Sequence, residues 1–170
     1  MTMTVGVIGL GVMGTPIARH LLAAGFAVVG HDIVDEALVC FEAMGGKRAR
    51  SARNVAERTE VVLTLLPSAA ALQDVIDGPD GLNSARAGAT VVAECSTLPI
   101  PVKNQARDRL GETGKILLDC PLGGTGAQAE PAIWWSWEAV RRLPTTCAYR
   151  PFRQCHGSSI ISAISAMAAG

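Results

Sequence analysis

Residues 5–14 read VGVIGLGVMG and decide the fold of this chain. The first four are a short apolar run rich in β-branched residues, which is typical of a strand. The glycines that follow have the spacing G-x-G-x-x-G, and residues from about Val12 to Ala24 have the apolar spacing of a helix that stops at Gly25. A strand that leads through closely spaced glycines into a helix predicts the opening of a βαβ unit.

Each glycine of this turn has a physical role in binding a dinucleotide. The first permits a tight turn, the second lets the backbone approach a pyrophosphate, and the third lets the helix pack closely on the strand. The helix then directs its free N–H groups and the positive end of its dipole at the phosphates. The predicted cofactor contacts are Gly9, Leu10, Gly11, Val12, Met13 and Gly14.

Asp32 follows the second predicted strand, residues 26–31, and lies 18 residues after Gly14. A carboxylate there can accept hydrogen bonds from both hydroxyls of a ribose and would repel a 2′-phosphate. The sequence therefore favours NAD over NADP as the cofactor. The competing interpretation is a glycine-rich turn between a strand and a helix, with Asp32 facing solvent and no cofactor bound.

Strands and helices alternate beyond this unit. The other predicted elements are strands at 61–66, 90–94 and 116–119, and helices at 35–44, 69–76 and 102–110. This alternation predicts an α/β fold of the Rossmann type, with a doubly wound, mostly parallel sheet.

The composition of the chain gives no support to several classes of function. The 170 residues carry 15 Lys and Arg against 15 Asp and Glu, and this neutral balance gives no support to nucleic-acid binding. No apolar stretch reaches the roughly 18–20 residues that span a bilayer, and the N-terminus lacks the basic region of a secretory signal. We therefore expect a cytoplasmic protein with no nucleic-acid or membrane partner.

The cysteines favour neither a disulfide framework nor a metal site. There are five of them, an odd number, and they are widely spaced without a C-x-x-C pair. Such a pattern lacks both the pairing of a disulfide-rich domain and the ligand spacing of a zinc site. We therefore expect no metal.

Four blocks, in this order, resemble the β-hydroxyacid dehydrogenases, which include 3-hydroxyisobutyrate dehydrogenase and tartronate semialdehyde reductase and are related to 6-phosphogluconate dehydrogenase. Residues 7–18 resemble the family's glycine-rich opening. Residues 65–67, LLP, resemble the end of its third strand, which borders the adenosine part of the cofactor. Residues 94–99, ECSTLP, resemble the segment whose threonine lies near the nicotinamide. Residues 119–127, DCPLGGTGA, resemble the segment that shapes the substrate pocket.

The resemblance implies reversible hydride transfer between NAD(P) and a short 3-hydroxy acid such as 3-hydroxyisobutyrate. The cofactor contacts that it adds are Leu65, Leu66, Pro67 and Thr97, and the substrate contacts are Ser96, Gly123 and Gly124. In the family, a lysine on the first long helix of an all-helical second domain handles the hydroxyl proton, and an asparagine one turn later holds the substrate. That second domain also contributes to dimerisation, so a homodimer is the macromolecular partner to test.

The sequence departs from the family after about residue 130. The last lysine is Lys115 and the last asparagine is Asn104, so no residue takes the place of the family's catalytic lysine, and the all-helical domain is missing. Residues 131–170 hold five of the seven aromatic residues, and one acidic residue against four arginines. We therefore divide the chain into an NAD(P)-binding Rossmann domain, 1–130, and an atypical tail, 131–170.

Two explanations of the tail stay open. It is either a divergent functional ending that docks on the sheet or mediates dimerisation, or the product of a frameshift or truncated gene. Out-of-frame reading of a GC-rich gene would enrich Arg, Ala, Ser, Cys and Trp, which is the bias observed. A frameshift predicts that another frame of the coding DNA restores a Lys-x-x-x-Asn helix.

The missing lysine also leaves a catalytically inactive dinucleotide-binding module as the alternative to an active dehydrogenase.

Overall fold

A computed structural model of the chain describes residues 3–86, 91–120, 122–123 and 134–135. The helices are α1 (Gly14–Ala23), α2 (Asp35–Ala43), α3 (Ala52–Ala56), α4 (Ala69–Asp77) and α5 (Ile100–Gly111). The strands are β1 (Thr4–Ile8), β2 (Ala27–His31), β3 (Lys47–Arg48), β4 (Val61–Thr64), β5 (Val91–Glu94), β6 (Ile116–Asp119), β7 (Leu122–Gly123) and β8 (Trp134–Trp135). Among the described residues, no helix has the length and apolar character needed to cross a membrane.

Six of the strands form one sheet in the order β3-β2-β1-β4-β5-β6, and every pairing in it is parallel. The carboxyl ends of all six strands therefore lie at the same edge, which we call the carboxyl edge. The order reverses between β1 and β4, and sheets of this kind bind ligands outside the carboxyl ends at such a switch point. The predicted Rossmann fold is confirmed.

Apolar side chains cover both faces of the sheet. On one face, Ile17 and Leu21 of α1 and Phe41 of α2 join the same core as Val5 and Leu63. On the other face, a second core contains the helix residues Val55, Leu72, Ile76 and Leu110 together with the strand residues Val62, Val92 and Leu117. Burial on both faces explains why the strands read as continuous apolar runs without alternation.

The sequence prediction misses four short elements, β3, α3, β7 and β8. The strand β3 has two residues and pairs with β2 at the edge of the described sheet. The helix α3 has five residues, and the Ser51 Oγ at its N-terminus accepts a hydrogen bond from the Asn54 N–H at 3.2 Å. Neither segment is long enough to show a period of 2 or 3.6 residues. The strand predicted at 61–66 is also too long, because β4 ends at Thr64 and the next residues form a loop at the carboxyl edge.

The tail contributes one described element. Trp134 and Trp135 form β8, which pairs antiparallel with β7, so that Gly123 lies opposite Trp134 and Leu122 opposite Trp135. The rest of the predicted tail, 131–133 and 136–170, lies outside the described residues. The division of the chain at about residue 130 therefore stays a prediction.

Candidate functional site at the carboxyl edge

The three glycines of the loop after β1 meet different surroundings. Gly9 has a φ of +92°, and a Cβ there would overlap the carbonyl oxygen of Leu65. A Cβ on Gly14 would overlap the carbonyl oxygen of Gly9. A Cβ on Gly11 would meet no atom of the described residues within 4 Å. The fold itself therefore requires glycine at positions 9 and 14, whereas Gly11 faces space that no described residue fills and where a ligand could approach the backbone.

The loop lies at the switch point. The Gly9 N–H donates to the His31 carbonyl of β2 at 3.0 Å, and the Leu65 N–H donates to the Ile8 carbonyl of β1 at 2.9 Å. The helix α1 begins at Gly14, and the residue that precedes it, Met13, makes no side-chain capping bond. The positive end of this helix is therefore directed to the carboxyl edge beside Gly11, which suits a pyrophosphate.

Asp32 stands immediately after β2 and is half-buried. Its Oδ2 accepts a hydrogen bond from the Leu10 N–H at 2.6 Å, and its Oδ1 accepts one from the Val34 N–H at 2.8 Å. The carboxylate is thus held against the glycine loop rather than turned freely into solvent. Each oxygen keeps a further lone pair that can accept a ribose hydroxyl. The position and chemistry of Asp32 fit the predicted role.

Two exposed aliphatic side chains lie beside these groups. Val12 of the glycine loop is 79% exposed, and Ile33, directly after Asp32, is 96% exposed. Apolar side chains so far in solvent, next to the polar groups of a candidate site, suit the flat face of a purine. Val12 is among the predicted cofactor contacts, whereas Ile33 is not. The available signal was a β-branched residue following an acidic residue at the end of a buried strand.

The loops after β4 and β5 are connected by side chains. The Leu66 N–H donates to the Ser96 Oγ at 2.8 Å, and the Ser96 N–H donates to the Glu94 Oε1 at 2.7 Å. Leu65 and Leu66 are half-buried, whereas Pro67 and Thr97 are exposed. The structure therefore brings four predicted cofactor contacts to the edge beside the glycine loop. Ser96, predicted to touch substrate, is buried and uses its hydroxyl to hold a neighbouring loop.

The segment expected to shape the substrate pocket is only partly described. Asp119 closes β6 and forms an ion pair with Lys103, whose side chain is almost fully buried on α5. Gly123 lies in β7, and Gly124 is outside the described residues. The contacts of Gly123 and Gly124 with a substrate stay a prediction.

The thiols at this edge are poor nucleophiles. Burial raises the pKa of the Cys120 thiol to about 12, with a further contribution from the Asp119 carboxylate. Burial also raises the pKa of the Cys95 thiol well above its usual value. Both thiols are therefore protonated at neutral pH, and a thiol is far less nucleophilic than a thiolate. Among the described residues, no group of three or more His, Cys, Asp or Glu side chains is arranged to hold a metal ion.

Residues 4–133 match the protein family described as the NAD binding domain of 6-phosphogluconate dehydrogenase. L-threonate dehydrogenase of Cupriavidus necator is 36% identical over 129 residues, which are 76% of this chain and 43% of the relative. NAD-dependent L-serine dehydrogenase of Pseudomonas aeruginosa is 36% identical over 72% of this chain and 41% of the relative. Mitochondrial 3-hydroxyisobutyrate dehydrogenase of Mus musculus is 27% identical over 92% and 47%. The chain thus spans less than half the length of these curated relatives.

Solved structures agree with this assignment. A 3-hydroxyisobutyrate dehydrogenase of Mycobacterium tuberculosis, solved with L-serine, superposes with a TM-score of 0.73 at 28% identity and covers 84% of this chain and 50% of its own. A structure of Psf3 in complex with NADP+ and 2-OPP superposes with a TM-score of 0.69 at 27% identity, covering 74% and 45%. The match covers about half of each of these two solved chains.

Proposed function

Because the chain belongs to the β-hydroxyacid dehydrogenases and carries their NAD-binding domain, we propose that its carboxyl edge binds NAD for hydride exchange with a short hydroxy acid. The observation that supports this most directly is the open space at Gly11, between two glycines that the fold requires. A fold-only role would give no reason for glycine at that position, since no described residue occupies the space. Bound NAD would supply the hydride acceptor at its nicotinamide ring.

The adenosine half is proposed to lie over β1 and β2. Asp32 accepts the ribose hydroxyls with the lone pairs that its contacts to Leu10 and Val34 leave free. The negative charge of Asp32 disfavours a 2′-phosphate, which is why we propose NAD rather than NADP. The backbone around Gly11 and the N-terminus of α1 then receive the pyrophosphate.

The nicotinamide half is proposed to lie at the loop after β5, in the other mononucleotide-binding half of the sheet, where the exposed Thr97 borders it. The half-buried Leu65 and Leu66, after β4, are proposed to border the adenosine part. Ser96 accepts a hydrogen bond from the backbone and still has a hydroxyl proton to donate, so we propose that it reaches the substrate together with Gly123 and Gly124.

The proton of the substrate hydroxyl needs an acid/base, and this chain has no lysine after Lys115. The buried Lys103 is engaged by Asp119. We therefore keep two candidate functions for the chain. The first is an active dehydrogenase that uses a different proton acceptor, and the second is a module that binds the dinucleotide without turnover.

Calorimetry and an absorbance assay separate the candidates. NADH and NADPH are titrated into the protein, and reduction of NAD is followed at 340 nm with 3-hydroxyisobutyrate, L-serine and L-threonate. Binding with turnover supports the dehydrogenase, and binding without turnover supports the module. A chain that binds neither NADH nor NADPH would overturn the cofactor proposal.

We further propose that the protein is a cytoplasmic homodimer. Light scattering on the purified chain would test the dimer, and localisation of the tagged protein would test the compartment.

A further inference from the structure

A pair of opposite charges lies near Asp32, on the side of β2 that faces away from β1. Arg48 of β3 forms an ion pair with Asp35, the first residue of α2, and both side chains are exposed. Arg48 is the register neighbour of Gly30 in β2, and the Ala49 N–H continues the ladder by donating to the Gly30 carbonyl at 2.7 Å. Asp35 follows Asp32 by three residues. The carboxyl edge thus carries a guanidinium and a second carboxylate, which we call the edge pair.

The N-terminus of α2 lies at the same place. Because the helix follows β2, its first N–H groups and the positive end of its dipole are directed to the carboxyl edge. Val34 precedes the helix and makes no side-chain capping bond. A helix end of this kind with an arginine beside it would attract a phosphate group. Its first turn instead holds Asp35 and Glu36, whose carboxylates offset the dipole and the charge of Arg48.

These charges bear on the difference between the two nicotinamide cofactors. NADP differs from NAD by a phosphate on the 2′-hydroxyl of the adenosine ribose. Asp32 is proposed to accept the hydroxyls of this ribose, so the 2′-phosphate of NADP would lie beside Asp32. A guanidinium matches a phosphate in charge and geometry, and an arginine near this position is the usual partner of a 2′-phosphate. Here the phosphate would meet the carboxylates of Asp32 and Asp35 against the single guanidinium of Arg48.

The ion pair itself contributes little to folding. Water screens the charges of an exposed pair, so its effect on stability is small. Arg48 can therefore turn from Asp35 to a more highly charged partner at little cost. The Asp35 carboxylate stays in place whether or not Arg48 pairs with it, and it repels a phosphate there. Removal of the Asp35 charge would leave the guanidinium without this competitor.

We propose that the edge pair is a second determinant of the preference for NAD over NADP. The inference rests on the proposed binding of NAD at the carboxyl edge. Asp32 disfavours the 2′-phosphate directly. Asp35 disfavours it in two ways, by repulsion and by engaging Arg48, the cation that would otherwise bind it. Discrimination is therefore divided between the end of β2 and the start of α2.

Calorimetric titration with NADH and NADPH tests this role. Asp35→Asn removes the charge at nearly constant size and releases Arg48. The preference for NADH over NADPH, taken as the ratio of the two dissociation constants, is expected to fall about tenfold, the equivalent of one charge-assisted hydrogen bond to the 2′-phosphate. This fall should diminish as NaCl is raised from about 0.05 M to about 0.5 M, because salt screens exposed charges. An unchanged preference in Asp35→Asn would overturn the inference.

A double variant separates release of the arginine from simple loss of a negative charge. Asp35→Asn combined with Arg48→Ala lacks both members of the edge pair. It is expected to recover most of the preference that Asp35→Asn loses, because the cation that binds the 2′-phosphate is gone. A double variant with the same low preference as Asp35→Asn would show that Arg48 takes no part, and the inference would be rejected.

Glu36→Gln is the matched control. It removes an exposed carboxylate from the same turn of α2, but that carboxylate does not belong to the edge pair. It is expected to change the preference by about twofold or less, and a change equal to that of Asp35→Asn would assign the effect to overall charge instead of the edge pair. A wild-type chain that binds neither nucleotide would refute the proposed function itself. A wild-type chain that binds NADH, with an unchanged preference in Asp35→Asn, would refute the edge pair alone.

Discussion

Replacement of Gly11 by valine separates cofactor binding from folding. A Cβ at Gly11 would meet no atom of the described residues within 4 Å, and Gly11 is absent from the glycines with positive φ, which include Gly9. A Cβ at this position therefore neither clashes with the described part of the protein nor requires a positive φ. It does fill the space through which a pyrophosphate would reach the loop.

The two expected magnitudes differ widely. An exposed substitution without strain changes the free energy of unfolding by about 0.5 kcal/mol or less. A blocked approach removes at least one hydrogen bond between a backbone N–H and a charged phosphate, and such a bond contributes about 1.5–3 kcal/mol. That loss weakens NADH binding roughly 10- to 150-fold. The dissociation constant should therefore change while the melting temperature stays nearly constant.

Calorimetric titration with NADH measures the dissociation constant, and thermal unfolding followed by circular dichroism measures the melting temperature. Substitutions of two further glycines serve as controls. Gly111→Val makes the same change where a Cβ also meets no atom, at the end of α5 and away from the carboxyl edge. It should bind NADH like wild type. Gly14→Ala forces a Cβ against the Gly9 carbonyl and should cost about 1–3 kcal/mol of stability through overpacking.

Binding of NADH by Gly11→Val as tightly as by wild type would refute the prediction, because the open space would then have no connection with a cofactor. Unfolding of Gly11→Val as readily as Gly14→Ala would refute it as well. In that case Gly11 would be a structural glycine like its neighbours, and its surroundings would say nothing about a ligand.

Three further predictions follow from charges and burial. Asp32→Asn should lower the preference for NADH over NADPH about tenfold, because it removes the charge that repels a 2′-phosphate, and titration of both nucleotides measures this. The exposed Cys40 should be alkylated by iodoacetamide before Cys120, and labelling of Cys120 should accelerate as the pH rises towards its pKa of about 12, as peptide mass spectrometry would show. Asp119→Ala should destabilise the chain to urea by about 1–3 kcal/mol, more than Lys103→Met, because it leaves a buried ammonium unpaired.

The sequence was sufficient to predict the order of the main strands and helices. Buried parallel strands such as β1 and β6 read as apolar runs, and helices such as α1 end at a glycine with positive φ. Missed elements such as β3 and α3 are too short for any periodicity to appear. Their positions depend on tertiary contacts instead, for example the hydrogen bond from the Ala49 N–H to the Gly30 carbonyl at 2.7 Å.

The parts of the site that belong to a pattern of known spacing were predictable from the sequence. The side-chain contacts between residues far apart in the sequence were not. The glycine loop and Asp32 form a local pattern with a known spacing. Glu94 also stood in a recognisable block, but nothing in the sequence indicated that its carboxylate would turn inward. Its partner Thr64 is 30 residues away and becomes a neighbour only through the pairing of β4 with β5.

The two halves of the carboxyl edge use the same construction. In the first half, Asp32 beyond β2 accepts the N–H of Leu10, two residues beyond the end of β1. In the second half, Ser96 beyond β5 accepts the N–H of Leu66, two residues beyond the end of β4. A single side chain thus holds each loop against its neighbour at the carboxyl edge.

Because Asp32 also holds the loop after β1, its role is not limited to a proposed contact with the ribose. Removal of the Asp32 side chain would release the Leu10 N–H and so disturb the loop that carries Gly11. Loss of NADH affinity in Asp32→Ala would therefore combine a lost ligand contact with a displaced phosphate loop, and ADP affinity should fall with it.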